Sequence, residues 1–492
     1  MAAMLLETPS DAAMRRYYDK LASAGKGPGL RVDQIGGAFG KGLFADKVFD
    51  QDELVLREPK LVGAQHEHNK ADALVCSFCF QYIGSMELQI GRRLLSKGDE
   101  SAHDLKETGS LSGGEEGSDM DLTEEKEESE NGHDGCGCDE KSHNRKAIST
   151  ELVDSLLTGD LHLPYSDKFP LSPITSCPGG CAEDVFCSDM CADEAWRTYH
   201  SLLCAGPNSL CENKKALAQF KEHACDSNDI FLVAAQVIAG TILQARNLKN
   251  EILKNATAKG KEPRQQTHDI LLEAWEPFAM GFKKLWWEAV ALPDDVDPSQ
   301  EDSFRDQFKE LAIESLNYLK EAIYEEEYDP LFDLEVYGHI IGMFELNNLE
   351  IVVPSPVEDY FIYIDDLPKD DQSAHAGTVT RPFLDALGSE YATYCTGTGF
   401  FALQSCVNHS CRPNAKAFKR EEDRDGAAVL LAIRPIRKGE EITISYIDEN
   451  HDLEERQALL ADYGFVCSCS RCIEDSSMKI FSSRALAGML QQ

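Results

Sequence analysis

Asn408-His409-Ser410-Cys411-Arg412-Pro413-Asn414, Glu440-Glu441-Ile442-Thr443-Ile444-Ser445-Tyr446 and Cys467-Ser468-Cys469-Ser470-Arg471-Cys472 follow one another near the C-terminal end of this 492-residue chain. The first is a polar turn that exposes an amide and an imidazole. The second alternates like an extended segment and ends on a tyrosine. The third carries three thiols close enough to grip one tetrahedral ion. Ala427 to Arg434, the turn Pro435 to Gly439, and Glu441 to Tyr446 read as a hairpin. A helix is expected from Asp452 to Tyr463, with Asp452 and Glu455 at capping-box spacing and Gly464 as its stop.

The length allows roughly two to four domains. A net charge of -38 opposes general nucleic-acid binding, which needs a basic face, so no direct DNA contact is expected. The same charge suits a basic protein partner such as a histone tail or a ribosomal protein; keeping the chain soluble explains it equally well. The first twenty residues lack a signal-peptide layout, since Glu7 and Asp11 interrupt a short apolar start. The longest apolar run, Ile230 to Ala245, is broken by Gln236, Thr241 and Gln244 and predicts a buried helix rather than a membrane span. Without an export signal the 17 cysteines read as thiols and metal ligands, not disulfides.

Eight positions stand at ligand spacing: Cys76 and Cys79, Cys177 and Cys181, Cys187 and Cys191, His200 and Cys204. Paired donors a few residues apart can share an ion, so eight make two closed structural zinc sites. Cys467, Cys469 and Cys472 supply three thiolates of a further site and need a fourth donor. Cys395 and Cys406 read as core thiols.

Other segments are read by composition. Residues 98–145 form an acidic low-complexity tract, which predicts disorder. Residues 212–344 are mostly helical in pattern, with Asp229 to Arg246 and Asp269 to Ala291 at helical spacing, and Trp286 and Trp287 belong to a core or an interface. Near the start, Gly40-Lys41-Gly42-Leu43 forms a glycine-rich turn between extended segments, where the backbone can approach a ligand closely.

The three C-terminal segments resemble the SET domain of protein lysine methyltransferases followed by a post-SET zinc clip. The order of six cysteines, then His200, then Cys204, with Phe186 before the fifth ligand, resembles a MYND zinc finger. A RING finger, which would point to a ubiquitin ligase, places its histidine mid-series. SET segments flanking a MYND finger, with a clip after them, are the layout of the SMYD family. Only about twenty residues follow Cys472, so the superhelix typical of animal members is not expected here. The chain is similar in this to the SMYD5-like branch and to the trithorax-related SET proteins of plants, the second being the nearer.

The resemblance implies an α+β, β-rich SET fold with a threaded, knot-like core, an inserted MYND-type finger, a helical insert and a post-SET clip. On that reading, residues 30–63 are the N-terminal part of the SET domain and 76–204 the finger carrying the acidic insert. Residues 212–344 are the helical region, 345–450 the C-terminal SET core and 452–475 the clip. By resemblance, Cys76, Cys79, Cys187 and Cys191 share one zinc ion, and Cys177, Cys181, His200 and Cys204 a second. Cys411 completes a third with Cys467, Cys469 and Cys472.

The implied reaction moves a methyl group from S-adenosylmethionine to a lysine amine. By resemblance, Lys41, Gly42, Leu43, Asn347, Asn408, His409, Tyr446 and Phe465 hold the cofactor, and Tyr446 and Tyr463 form the catalytic channel. The expected substrate is a basic protein, a histone first, which puts the chain in the nucleus, with the cytoplasm as a second compartment. The finger could engage protein partners. Two alternatives stand beside this: methylation of a non-histone protein such as a ribosomal protein, and a catalytically silent MYND adaptor.

Overall fold

The computed structural model describes residues 2–36, 40–108, 148–258, 267–293, 296–347, 349–368 and 370–478, the side chains of 98–108 excepted. Most of the acidic tract at 98–145 lies outside the described residues. So do Gly37 to Phe39. The chain divides into two compact units: residues 1–84, 171–355 and 394–492, and residues 85–170 and 356–393.

The larger unit holds the short strands. Leu30–Gln34 pairs antiparallel with Lys41–Ala45, Val32 opposite Leu43. Leu30, Val32, Leu43 and Ala45 are buried, the two-residue period of a strand covered on one face. Leu54–Glu58 and Ala415–Ala417 flank Ala428–Ala432, a central strand buried at every position. Val62–Gln65 and Leu349–Val353 flank Cys395–Phe400 in the same way. A Cβ on Gly397 would stand 2.5 Å from the Ala64 carbonyl oxygen, so this central strand needs glycine for its neighbour to approach.

The hairpin expected across Pro435 to Gly439 does not form. Ala428–Ala432 pairs with strands remote in sequence, and Thr443–Ile444 runs parallel to Asn408–His409. Ile436 bridges to Phe49, and Glu441 to Phe44. Those pairings bury Ile436 and Ile442 completely. Burial against distant strands outweighs the local turn chemistry, because strand pairing follows side-chain packing more than intrinsic preference.

The helices Lys214–Ser227, Ile230–Ala258, Thr267–Ala279, Glu301–Ile323 and Leu334–Asn347 pack into one apolar core. Ile230–Ala258 is long and apolar enough to cross a membrane, and most of its apolar length is buried among its neighbours. The helical stretch expected from Asp269 to Ala291 breaks after Ala279 and resumes only as the single turn Trp286–Ala289. Lys283 explains the break: its ammonium donates to the carbonyls of Phe278, Ala279 and Gly281, capping the helix end. Trp286 and Trp287 are core residues, Trp286 edge-on to Phe231 and Phe308.

In the smaller unit the helices Met86–Thr108, Thr150–Thr158, Pro356–Asp365 and Asp371–Leu387 pack around their own core of Ile90, Leu156, Tyr360, Phe361 and Phe383. Buried Arg93 ties it off by donating to the carbonyls of Glu390, Tyr391 and Thr393. The blocks 76–204 and 345–450, each read from sequence as continuous, therefore each give up a segment to this unit. Only long-range helix packing shows that the helices Met86–Thr108, Thr150–Thr158, Pro356–Asp365 and Asp371–Leu387 belong together.

Candidate active site and metal clusters

Twelve side chains at ligand spacing gather into three groups: Cys76, Cys79, Cys187 and Cys191; Cys177, Cys181, His200 and Cys204; Cys411, Cys467, Cys469 and Cys472. Within each group every ligand atom lies within 4.8 Å of the others. The sulfurs of Cys187 and Cys191 are 3.4 Å apart, those of Cys79 and Cys187 3.6 Å, and those of Cys411 and Cys472 3.5 Å. A Zn–S bond of about 2.3 Å gives a tetrahedral edge of about 3.8 Å, so these donor sets fit Zn²⁺ in size and chemistry.

Local backbone prepares each group. The N–H of Gly179 points at Cys177 Sγ and that of Gly206 at Cys204 Sγ, each at 3.2 Å, which favours thiolate. The N–H of Gly426, just before the strand Ala428–Ala432, donates to the Cys79 carbonyl at 2.7 Å. The helix Asp189–Ala195, capped by Ser188, passes into a π-helical turn at Trp196–His200. The extra residue in that turn carries His200 to its partners, a common use of π turns at functional sites. His200 Nε2 lies 3.1 Å from Cys177 Sγ, and its Nδ1 faces Asp184 at 3.6 Å. A carboxylate behind a ligand histidine orients the ring and selects its tautomer.

The third group adjoins a cluster of aromatic rings. Tyr446 has its ring 5.4 Å from His409, 5.2 Å from Tyr463 and 6.5 Å from Phe465, and Phe465 is 6.0 Å from His409. The Tyr446 N–H donates to His409 Nδ1 at 3.0 Å, so Nδ1 is unprotonated and Nε2–H faces Cys411 Sγ at 3.2 Å. Burial, with the charge of Arg456 adding to it, lowers the His409 pKa to about 4 and keeps the ring neutral. The Tyr446 hydroxyl donates to the Val407 carbonyl at 2.7 Å. Burial first, then Tyr463, pushes its pKa far above the usual range. It is a fixed neutral hydroxyl with lone pairs to offer, not a base.

Asn408 ties this cluster to the N-terminal turn. Its amide donates to the Lys41 carbonyl at 3.0 Å and to Glu441 Oε1 at 2.9 Å. A Cβ on Gly42 would stand 2.4 Å from Ile35 Cδ1, 2.9 Å from Glu441 Oε1 and 3.1 Å from Asn408 Nδ2, so a side chain there would displace the groups that surround Asn408. Leu43 is a buried core residue of the same strand. The Lys41 ammonium donates to the Met280 carbonyl, and the Asn347 amide to those of Phe282 (2.8 Å) and Met343 (2.7 Å). Lys41 and Asn347 thus meet on the loop at 280–282, and Asn408, His409, Tyr446, Tyr463 and Phe465 meet on the clip side. Clustered aromatic rings, a glycine-bearing strand and nearby amide and carbonyl groups form a residue set that fits a sulfonium nucleoside.

Three functional neighbours were not legible beforehand. Glu441 Oε1 accepts from the Asn408 amide at 2.9 Å. Lys283 caps the helix above the 280–282 loop; burial first, then the charge of Lys41, lowers its pKa to about 7. Arg456 is almost wholly buried, donating to the His451 carbonyl at 2.7 Å and to Asp475 at 2.6 Å, with Cys472 Sγ at 3.8 Å. A charge at a core-facing position of the helix Leu453–Ala461 was the one available signal for it.

The SET domain family matches residues 287–447. The chain is similar to the histone-lysine N-methyltransferase ATXR2 of Arabidopsis thaliana, 52% identical over 97% of both chains. It is 27% identical to the human protein-lysine N-trimethyltransferase SMYD5, over 59% of this chain and 64% of that one. A SET and MYND domain-containing protein of Dictyostelium discoideum is 42% identical over 17% of this chain and 24% of its own.

Proposed function

The chain belongs to the SET-domain lysine methyltransferases, and we propose that it methylates lysine side chains of histones through the site around Tyr446. The observation that carries this is the convergence of Asn408, His409, Tyr446 and Phe465 beside the Gly42 turn, with the Tyr446 hydroxyl held by Val407. S-adenosylmethionine, when bound, supplies an electrophilic methyl on a sulfonium. The residues do the rest. Asn408 and Gly42 keep the turn open and rigid. Phe465 offers a ring face to the adenine and, with Tyr463, keeps water from the reacting atoms. The Tyr446 oxygen accepts an N–H of the incoming amine and aligns its lone pair. A lysine amine has a pKa of about 10.4 in water. An apolar channel beside a cation favours its neutral form by desolvation and like-charge repulsion, and positioning supplies much of the remaining rate.

The finer architecture belongs to the same reading. The parallel pairing of Thr443–Ile444 with Asn408–His409 supports the threaded, knot-like core. The two interleaved groups between Cys76 and Cys204 support a MYND-type finger with two structural zinc ions, and the group at Cys411 a post-SET clip with a third. A net charge of -38 and the histone-directed relative support a basic substrate and a nuclear role. Partners at the finger follow the family.

The test is methyl transfer from labelled S-adenosylmethionine by wild type and Tyr446→Phe, on nucleosomes, free histones and a cell extract. Histone labelling that vanishes in the variant supports the proposal. Labelling confined to an extract protein would replace histones with a non-histone target. No labelling and no calorimetric binding of S-adenosylmethionine would replace the enzyme with an adaptor.

A further inference from the structure

Glu58 is a carboxylate in the protein interior, only 3% exposed, at the end of the strand Leu54–Glu58. No metal group or ring of the candidate site touches it. Its partners are backbone N–H groups: Ala402 N at 3.1 Å, Leu403 N at 3.0 Å to each oxygen, and Gln404 N at 2.9 Å. A carboxylate facing three successive N–H groups is a strong charge-assisted anchor, and burying an acid without such partners is costly.

The anchored segment leads directly into the site. It continues as the 3-10 turn Gln404–Cys406 and ends at Val407 and Asn408. Val407 provides the carbonyl that holds the Tyr446 hydroxyl, and Asn408 the amide that holds the Lys41 carbonyl. From the other side the Cys406 thiol meets the Tyr18 hydroxyl at 3.2 Å, and the Lys41 ammonium lies 5.5 Å from the Tyr18 ring centre. The turn is therefore clamped at both faces. Among the described residues, Glu58 is the ionisable side chain that grips its backbone N–H groups.

We infer that Glu58 is a positioning residue for methyl transfer: by holding residues 402–404 it fixes the Val407 carbonyl, and so the Tyr446 hydroxyl. This rests on the role proposed for Tyr446. Misplacement of a positioned group by an ångström can cost orders of magnitude in rate, whereas a residue needed only for stability would lower the active fraction equally in every background.

The experiment is a double-mutant cycle on the full chain with zinc bound, using Glu58→Gln, Glu58→Asp and Tyr446→Phe. Rate is measured on histones, and amide exchange is read at Ala402, Leu403 and Gln404. Glu58→Gln is expected to speed exchange at those amides and lower kcat about tenfold, with Glu58→Asp recovering most of it. In the Tyr446→Phe background the same change should cost less than about twofold, because coupled groups are not additive. Equal fold losses in both backgrounds, or faster exchange with an unchanged rate, would overturn the positioning role. Unchanged exchange would overturn the hold on the turn. If Tyr446→Phe itself keeps the wild-type rate, the Tyr446 reading fails, and the exchange data still report on the turn separately. Should Glu58→Gln fail to fold, Glu58→Asp is read in its place: its smaller loss of rate must shrink further in the Tyr446→Phe background, and equal losses in both backgrounds would overturn the positioning role.

Discussion

The two ligand groups between Cys76 and Cys204 and the group at Cys411 are all thiol-rich but stand in different company. The eight ligands between Cys76 and Cys204 come from knuckles and helices that close on one another. The clip takes its fourth ligand from elsewhere: Cys411 lies three residues after Asn408 and touches His409 Nε2. Its other three ligands follow Phe465, which faces His409. Structural zinc binding is folding energy. On the proposed zinc reading, the first two groups would spend that energy on their own segment, whereas the group at Cys411 would also order the residues proposed to hold the cofactor. The difference is that Cys411 is borrowed from the Asn408-His409 turn.

The largest expected effect tests that difference directly. Cys411→Ala should abolish calorimetric binding of S-adenosylmethionine and lower transfer by more than about a hundredfold, since outer-shell and ligand losses reach that scale. Cys181→Ala, in the finger, should lose one zinc by metal analysis yet keep cofactor binding within a few-fold. Equal loss of cofactor binding in the two variants would break the comparison. Next comes Tyr446→Phe, expected to lower kcat about a hundredfold with all metal retained. That would separate the chemistry from the clip that frames it. Phe465→Ala removes the ring joining clip to cofactor and should weaken S-adenosylmethionine binding about tenfold, as loss of a stacking or cation–π face does, again by calorimetry.

The smallest effect on the comparison concerns Glu58, which grips the Asn408 turn without any metal. Burial, the leading cause, raises its pKa from 4.5 to about 7, against the lowering by the N–H groups of Gln404, Leu403 and Ala402 and by Lys26. Tyr17 and Cys406 also face this interior. Below the unfolded value both states are protonated. Between 4.5 and about 7 the native state alone keeps the proton, so stability falls as pH rises through that window. The loss is about 3 kcal/mol at 1.36 kcal/mol per unit. Denaturant unfolding of wild type against Glu58→Gln across that window should show the wild type losing ground toward high pH; a parallel pair of curves would refute the assignment.

Local chemistry was the legible part. The helix Leu453–Ala461 has the Asp452–Glu455 capping box that its sequence spells out, and Gly464 follows with a positive φ of 80°. The apolar run at Ile230 is a buried helix, and Cys395 and Cys406 are buried thiols. Each depends on residues a few positions apart. What went unread depends on partners far away: the break after Ala279, the replacement of the hairpin at Pro435 by bridges to Phe49 and Phe44, and the helical unit assembled from Met86–Thr108, Thr150–Thr158, Pro356–Asp365 and Asp371–Leu387.

By itself the sequence determined which chemistry was on offer. It set the ligand types and their short spacings, the Asn408-His409 turn, the tyrosine at 446, and the acidic balance that favours a basic partner. Only the tertiary structure decided who meets whom. It brought Cys411 to thiols 56 to 61 residues away, set Val407 under the Tyr446 hydroxyl, and sank Glu58 beneath the turn that leads there. The reason is physical: side-chain spacing along a strand or helix acts over a few residues, whereas burial and hydrogen-bond satisfaction are settled only when the whole core closes.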